Sequence, residues 1–379
     1  MLKEIALLFF KLGFTAFGGP AAHIAMMENE VVTRRKWMDR QHFLDLVGAT
    51  NLIPGPNSTE MAIHCGYQRA GFAGLMVAGF SFILPAALLT GLLAFIYVEY
   101  SHIPQLEPLL FGIKPAVIII MIDAIFKLGK KAWKGKVIGF IGAGVFALTL
   151  LGISEVVAIL TGGIVGMLVL RMKDKFSLGA TLSLAPIWAG LGIFSLPTIG
   201  ASVGGISLTK LFFVFLKIGA VLFGSGYVLI AYLDGELVQS LGWLTSQQLI
   251  DAIAIGQFTP GPVLSTATFI GYQLNGFSGA VFATLGIFIP SFFFVAALNP
   301  LIPKLRQSQA ASAFLDAVNI GAVAIMIAAT LHLGLQVLLD WKAITIAIIA
   351  AFVFFRFKKV SSIYLVAGSA LLGYALSFL

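Results

Sequence analysis

Two lysines lie inside apolar segments at equivalent places in the chain. Lys11 stands in the segment FFKLGF and Lys217 in the segment FLKIG. A cation within an apolar membrane segment costs at least ~2.5–3.5 kcal/mol, so it usually faces a cavity or a partner. Each lysine could pair with a carboxylate or extend to the membrane surface, but their recurrence favours a joint role. One lysine from each half would together neutralise a divalent anion.

Two Pro-Gly-Pro segments supply a second set of candidate ligands. They occupy residues 54–56 and 260–262, and hydroxyl-bearing residues follow each of them. A helix that begins just after such a break points its unpaired N–H groups and a partial positive charge toward the break, which suits an oxyanion. The candidate binding residues at the two breaks are Pro54, Gly55, Pro56, Asn57, Ser58, Thr59, Pro260, Gly261, Pro262, Ser265 and Thr266.

Small and acidic residues also recur after the two lysines. Four small residues would let the backbone approach a ligand closely, with helix capping and close packing as the alternative interpretation. They are Gly18, Gly19, Gly224 and Ser225. A carboxylate near a substrate anion could bind a proton and couple transport to the proton gradient, with surface ion pairing as the alternative. The candidate coupling residues are Glu28, Glu30, Asp234 and Glu236.

Motifs for enzymes and metal sites are weak. Glu60 and His64 stand four residues apart, but the pattern His-Glu-x-x-His is missing and the second half has neither residue. A structural histidine is therefore the favoured interpretation of His64. The single cysteine, Cys65, excludes an intramolecular disulfide and a thiolate metal cluster. We expect no cofactor and no enzymatic activity.

The composition assigns these residues to a polytopic membrane protein. Of 379 residues, 59% are hydrophobic and 11% are charged, whereas soluble domains contain about 25% charged residues. The mean hydropathy is +1.00. These values exclude an ordinary cytosolic enzyme and a disordered chain. The basic residues behind the net charge of +8 cluster in short loops beside apolar spans, which indicates cytoplasmic loops instead of nucleic-acid binding.

The chain consists of two related halves. A shift of 206 residues aligns residues 11–56 with residues 217–262 without a gap. After one deletion the match resumes with Gly-Tyr-Gln at 66–68 and 271–273. Such an internal repeat divides the chain. We predict a first repeat over residues 1–180, a linker over 181–206 and a second repeat over 207–379.

Basic loops occupy alternate positions in the two halves. Residues 34–36 are basic, and the equivalent positions of the second half are not. Residues 356–359 of the second half contain three basic residues, and the equivalent turn of the first half is neutral. By the positive-inside rule, the halves are inserted in opposite orientations. The sequence thus predicts an all-α fold with about ten membrane spans, plus one re-entrant hairpin in each half, broken at Pro-Gly-Pro. The predicted spans are residues 3–19, 71–98, 108–128, 136–151, 154–170, 208–225, 276–298, 311–335, 342–356 and 361–379.

These motifs together resemble the chromate transporter family in its long, two-domain form. They are the Phe-x-x-Phe-Gly-Gly-Pro stretch at 14–20, the Pro-Gly-Pro of each half and the Gly-Tyr-Gln-x-x-Gly-Phe that follows it. The resemblance implies about ten spans in inverted halves. It also implies chromate export from the bacterial cytoplasm, driven by the membrane potential or the proton gradient. The second half departs from the pattern at Ser225 and Gly226.

We therefore expect a secondary active transporter of the bacterial inner membrane that exports chromate and confers chromate resistance. Sulfate is the second candidate substrate, since both ions are tetrahedral dianions, and a general oxyanion carrier or a passive anion channel are further alternatives. A membrane enzyme or lipid-handling scaffold would need a nucleophile or metal constellation. The expected partners are the oxyanion, protons and the lipid bilayer, without nucleic acid, and a homodimer stays open.

Overall fold

The computed structural model describes residues 1–16, 19–100, 103, 106–173, 206–224, 226–298, 308–357 and 360–378. Within these residues every regular element is a helix, in agreement with the predicted all-α class. The predicted linker, 181–206, lies outside the described residues except for Ile206.

The helices of the two halves follow one another in the same order. The first half contains α1 Leu2–Thr15, α2 Pro20–Glu28 with a π-helical extension Asn29–Arg34, α3 Arg40–Thr50, α4 Asn57–Tyr100, α5 Glu107–Ala132, α6 Lys136–Leu150 and α7 Glu155–Lys173. The second half contains α8 Leu208–Val221, a 3-10 turn Gly226–Val228, α9 Leu229–Leu233 with a π-helical extension Asp234–Ser240, α10 Ser246–Phe258, a 3-10 turn Val263–Ser265, α11 Thr266–Leu298, α12 Gln309–Val337, α13 Trp341–Arg356 and α14 Ser362–Leu376.

Several of these helices can cross a membrane, since an apolar segment of about 20 residues spans the hydrocarbon core. Among the described residues, the helical segments that are long and apolar enough are Asn57–Tyr100, Glu107–Ala132, Val263–Ala297 and Gln309–Val337. Shorter apolar helices are Lys136–Leu150, Glu155–Leu170 and Ser362–Leu376. The chain is thus a helical membrane protein, and the number of about ten spans stays a prediction.

The first helix of each half is short, and the chain turns back along it. Both α1 and α8 have 14 residues. At 1.5 Å per residue this is about 21 Å, less than the ~30 Å hydrocarbon core. Lys11 lies 3.9 Å from Glu30, and Arg35 lies 3.9 Å from Glu4, so the segment after α1 runs antiparallel to it.

The predicted spans 3–19 and 208–225 therefore end four residues early, at Thr15 and Val221. In the first half the physical reason is Pro20, the first residue of α2. Proline lacks an N–H and favours the start of a helix, so the apolar run continues in sequence while the helix does not.

The long helices α4 and α11 each begin with a short arm that folds back on the rest of the helix. The turns lie at Ala70-Gly71 and Asn275-Gly276, where the glycines have φ values of 60° and 59°. Gly66 packs against Gly74, and a Cβ on either would collide with the carbonyl oxygen of the other. The short arm and the rest of the helix are therefore in antiparallel backbone contact, and each Pro-Gly-Pro lies just before the short arm.

Long helices of each half pack against helices of the other half. α5 packs against α13 and α14 of the second half, and α12 packs against α6 and α7 of the first. α5 and α12 also contact each other in antiparallel orientation. Lys134, just after α5, lies 2.7 Å from Asp316, near the start of α12, and Ile118 contacts Gly334. The largest apolar core is built by α5 and α12 with α8, α10 and α11.

Candidate functional site

The two Pro-Gly-Pro tips meet the ends of the first helices of the opposite halves. The backbone N–H of Gly55 donates to the carbonyl of Leu222, just after α8, at 2.7 Å. The N–H of Gly261 donates to the carbonyl of Ala16, just after α1, at 2.9 Å. Gly55 and Gly261 are equivalent positions of the repeat, and so are Ala16 and Leu222. The tips thus form one central junction between the halves.

Both tips require glycine. Gly55 has a φ of 139° and Gly261 a φ of 87°, values that other residues rarely adopt. A Cβ on Gly261 would lie 2.9 Å from the Cβ of Ala86. A Cβ on Gly55 would lie 2.9 Å from the Oγ of Ser291 and would collide with the Glu60 carboxylate. Residues of α4 and α11 therefore press directly against the tips.

Hydroxyl groups converge beside the second tip. Thr90 of α4 donates to the Oγ of Ser265 at 3.1 Å, and the Thr259 hydroxyl lies 3.4 Å from the same Oγ. Thr266 donates to the carbonyl of Val263 at 2.9 Å. The predicted ligands Ser265 and Thr266 are thus hydrogen-bonded within the protein in this conformation, and Ser265 links the halves.

The predicted ligands of the first tip lie in a closed environment. Asn57 donates from its side-chain amide to Asn51 Oδ1 at 2.7 Å. Ser58 and Thr59 are buried, and the Thr59 hydroxyl has no hydrogen-bond partner among the described residues. Residues 54–56 and 260–262 are buried as well. Neither tip is open to water here.

A small cleft lies between the end of α1 and the second tip. Its lining includes His23, Tyr227, Gln257, Gly261 and Ser362. The Nδ1 of His23 and the Nε2 of Gln257 are buried and have no hydrogen-bond partner in the described chain. α14 begins at the cleft, so a helix N-terminus adds partial positive charge. The Gln257 amide N–H and the N-terminus of α14 therefore offer donors to one small space beside the His23 ring, which suits an anion.

Gly19 and Gly261 of this cleft are among the residues predicted from the sequence, whereas His23, Tyr227 and Gln257 are not. Gln257 and Asn51 are equivalent positions, so a side-chain amide precedes the Pro-Gly-Pro by three residues in both halves. That recurrence is a signal that could have identified Gln257. His23 and Tyr227 have no such signal, because their equivalents are Leu229 and Ala21.

The structure does not bring the two predicted lysines to the tips. Lys217 forms an ion pair with Glu236 at 2.6 Å, and Lys11 lies 3.9 Å from Glu30. The side chain of Lys11 is 63% exposed and that of Lys217 is 31% exposed. Each lysine thus faces the carboxylate of the returning segment of its own half, as the alternative interpretation of the sequence describes. A joint role in anion binding stays a prediction.

The predicted acidic residues of the first half are neutralised by arginines. Glu30 accepts hydrogen bonds from Arg34 at 2.9 Å and from Arg35 at 2.6 Å. Glu28 lies 3.1 Å from Arg40. Surface ion pairing, the alternative considered from the sequence, describes the contact of Glu28, whereas Glu30 forms its ion pairs while buried.

The equivalent region of the second half is rich in acid. Asp234 is buried, lies 3.0 Å from the Nδ1 of His332 and accepts a hydrogen bond from Gln239 at 2.7 Å. The carboxylate of Glu155, at the start of α7, packs against Gly235 between Asp234 and Glu236. Burial raises the pKa of Asp234, and the neighbouring His332 offsets part of this rise. This cluster can bind a proton more readily than an exposed aspartate.

The small residues predicted to approach a ligand are only partly described. Gly19 has a φ of 80°, and a Cβ there would lie 2.9 Å from the Tyr227 hydroxyl at the cleft. Gly224 has a φ of 97° and packs near Ala322 of α12. Gly18 and Ser225 lie outside the described residues. Of these four positions, Gly19 lies at the cleft.

Known proteins identify the family of this fold and site. The family model described as chromate transporter matches residues 3–167 and again residues 209–374. A chromate transport protein of Cupriavidus metallidurans is 30% identical over 98% of this chain and 92% of its own length. A probable chromate transport protein of Synechococcus elongatus is 31% identical over 92% of this chain and 88% of its own length.

Similarity extends to an archaeal protein but not to known structures. An uncharacterized transporter of Methanocaldococcus jannaschii is 27% identical over 98% of this chain and 93% of its own length. No solved structure matches the chain. The family model covers most of both halves, and the described helices include membrane spans. This multi-pass membrane protein belongs to the chromate transporter family.

Proposed function

We propose that the protein is a secondary active transporter that exports chromate across the bacterial inner membrane and so confers chromate resistance. The family and the names of its relatives support chromate as the substrate. The observation that supports an oxyanion most directly is the cleft at the second tip. There, Gln257 Nε2 and His23 Nδ1, neither with a hydrogen-bond partner in the described chain, lie beside the N-terminus of α14. A tetrahedral dianion spreads its charge over several oxygens and so suits donors from several directions.

We propose further that the two halves are inserted in opposite orientations. α5 and α12 are equivalent by sequence and pack antiparallel, with Lys134 beside Asp316 and Ile118 beside Gly334. Equivalent helices related by an axis along the membrane normal would run parallel. An axis in the membrane plane, as in other inverted-repeat transporters, makes them antiparallel. The re-entrant hairpins would then enter from opposite sides and meet at the tip junction.

Cysteine labelling tests this orientation. Lys134→Cys and Asp340→Cys place a thiol at the ends of α5 and α12, at positions that are exposed. In a Cys65→Ala background, a membrane-impermeant thiol reagent should label the two variants from opposite sides of the membrane. Labelling of both from one side would contradict opposite insertion.

Alternating access would come from the tip junction. The hydrogen bonds from Gly55 to Leu222 and from Gly261 to Ala16 each join one tip to the opposite half. We propose that breaking one of them opens the site to one side of the membrane while the other holds the second side closed. Lys11 and Lys217 would supply positive charge on the path to the tips, where the anion would compete with Glu30 and Glu236 for them.

For proton coupling, we propose the second-half residues Asp234 and Glu236 as the carboxylates that exchange protons with water. Glu28 and Glu30 remain candidates, and both are paired with arginines. Around Asp234, three carboxylates face one lysine and one histidine, so a proton reduces the repulsion among them. Sulfate transport and assembly into a homodimer stay predictions from the sequence.

Reconstitution tests the proposed function. Purified protein in vesicles should accumulate labelled chromate when a proton gradient is imposed, and sulfate should compete weakly. Equal transport of sulfate would indicate a general oxyanion carrier. Flux that only follows the chromate gradient and does not respond to protons would indicate a channel. Vesicles without protein provide the baseline.

A further inference from the structure

One carboxylate of the first tip is buried inside the protein and has no partner among the described residues. Glu60 lies in the first turn of α4, just after the Pro-Gly-Pro, and its exposed fraction is 0%. Neither of its carboxylate oxygens has a hydrogen-bond partner among the described residues. No cation of the described chain forms an ion pair with it. Buried carboxylates are rare, and those without a partner are rarer.

The surroundings of Glu60 place it directly behind the tip. Its carboxylate occupies the space that a side chain at position 55 would fill, and that position also faces the Ser291 hydroxyl of α11. The Ser291 hydroxyl likewise has no partner in the described part of the chain. Any displacement of the Gly55 tip from Leu222 therefore changes the environment of this carboxylate.

The other titratable groups around this arm are histidines. His64 lies one turn further along the same helix, is 0% exposed, and has no partner for either ring nitrogen among the described residues. His42 of α3 lies close enough to His64 for an electrostatic interaction between the two rings. Near the end of the arm, Arg69 pairs with Glu4 of α1 at 3.7 Å, and among the described residues no ion pair reaches Glu60 or His64. Glu60 and His64 are thus two buried titratable groups, one helical turn apart on this arm, without hydrogen-bond partners among the described residues.

The second half has no such acid at its tip. The position equivalent to Glu60 is Ser265, and its hydroxyl is engaged by Thr90 and Thr259. His64 is replaced by Phe269. An ionised carboxylate without a partner cannot be kept in an apolar interior at reasonable cost, so the group is neutral there.

We propose that Glu60 is a proton-binding site of the transport cycle. It holds a proton while the first tip is closed against Leu222, and it releases that proton to water when the tip moves away and exposes the carboxylate. The released proton leaves a carboxylate, which must be protonated again before the tip can close. Tip closure at the first half is thereby linked to proton uptake. This inference rests on the proposed transport function and adds its internal proton site.

The test compares two glutamates of the same helix in vesicles. Glu60→Gln fixes the neutral form, whereas Glu99→Gln removes an exposed carboxylate at the far end of α4. Exchange of labelled chromate without a gradient should stay within about twofold of wild type in both variants. Chromate accumulation driven by a pH gradient should fall at least tenfold in Glu60→Gln only. That loss corresponds to ~1.4 kcal/mol of coupling free energy. Wild-type accumulation in Glu60→Gln would overturn the proposal.

A second measurement uses the wild-type protein, so it still tests the proposal if a variant fails to fold. It does not depend on transport. A hydrophobic carbodiimide modifies protonated carboxyl groups in apolar surroundings, and mass spectrometry of the wild-type protein locates the adduct. We expect modification of Glu60 at neutral pH and none of Glu99. Absence of modification at Glu60 would overturn the proposal by itself. Failure of the wild type to exchange chromate, with Glu60 still modified, would instead overturn only the proposed substrate.

Discussion

The two halves use one backbone plan but surround its acidic residues with different charges. In both, a tip glycine donates to the end of the opposite first helix, and a lysine pairs with a glutamate of the returning segment. In the first half, Arg34 and Arg35 complete the neutralisation of Glu30. In the second, Asp234 and Glu155 add negative charge beside Glu236. The repeat therefore preserves the backbone geometry, whereas the charges around the equivalent acidic residues differ between the halves.

Removing the lysine common to both halves should have the largest effect. Lys11→Ala and Lys217→Ala should each abolish chromate protection in cells, because each removes positive charge on the path to the tips. Lys3→Ala, an exposed lysine of α1, is the matched control and should leave protection unchanged. Wild-type efflux from both variants, with normal amounts in the membrane, would exclude the lysines from the transport path.

Substitution of the tip glycines should reduce transport by at least about tenfold and should separate the halves. At Gly261 a Cβ meets the carbonyl oxygen of Gly13 and the Cβ of Ala86, which cannot move aside. At Gly55 it meets mainly the Glu60 side chain, which can rotate. Chromate exchange should therefore suffer more in Gly261→Ala than in Gly55→Ala.

Gly71→Ala provides the control for backbone strain alone. Its φ is 60°, but no atom lies within 4 Å of an added Cβ. With a ψ of −147°, this backbone conformation is essentially restricted to glycine and should cost about 1–3 kcal/mol for alanine, without a collision. If Gly71→Ala impaired exchange as strongly as Gly261→Ala, strain and not the tip junction would be responsible.

The arginine cluster should make Glu30 the more important glutamate for stability. Glu30→Gln removes the negative charge and one of the two acceptor oxygens that bind Arg34 and Arg35, and it should cost about 1–3 kcal/mol of unfolding free energy, after allowance for partial exposure. Glu236→Gln leaves only Lys217 unpaired and should cost about half as much. Thermal unfolding in detergent measures both, and equal losses would contradict the contrast between the halves.

The smallest expected effect concerns the pH dependence of stability at Asp234. Burial raises the pKa of this carboxyl in the folded protein, so its ionisation opposes folding once the pH exceeds the unfolded pKa of about 3.9. The unfolding temperature of Asp234→Asn relative to wild type should therefore rise with pH through the folded pKa and then level off. A difference that is constant with pH would contradict the raised pKa.

Glu28→Gln, at the equivalent position of the first half, is the control for that measurement. Glu28 pairs with Arg40 at 3.1 Å, so its loss should lower the unfolding temperature and not raise it. Changes in unfolding temperature of opposite sign for the two variants would sharpen the contrast between the arginine-neutralised segment of the first half and the acid-rich segment of the second.

Local patterns predicted the tips but not their contacts. The Pro-Gly-Pro breaks and the equivalence of the halves are visible from residue types and their spacing. The reversal after α1 is not, because the apolar run passes through residues 16–19 without a polar signal. The junction from Gly55 to Leu222 joins distant parts of the chain, which no local pattern encodes.

Burial was also beyond sequence reasoning. In a chain that is apolar nearly everywhere, hydrophobic periodicity does not separate interior from lipid-facing positions. Glu60 and His64 therefore looked like an incomplete metal motif, and Lys11 was expected to face a cavity or a partner, whereas its side chain is 63% exposed. The charge differences between the loops, in contrast, require no three-dimensional information.

The exchange of helices between the halves has a consequence for biogenesis. α5 ends at Ala132, but its partner α14 ends at Leu376. At ~5–20 residues per second, a ribosome needs roughly 10–50 s to synthesise the intervening chain, so the first half waits that long as an unfinished assembly. The surfaces of α5, α6 and α7 that will pack against second-half helices must meanwhile be shielded by lipid or by the insertion machinery. Premature termination in the second half would thus leave an incomplete first half for membrane proteases.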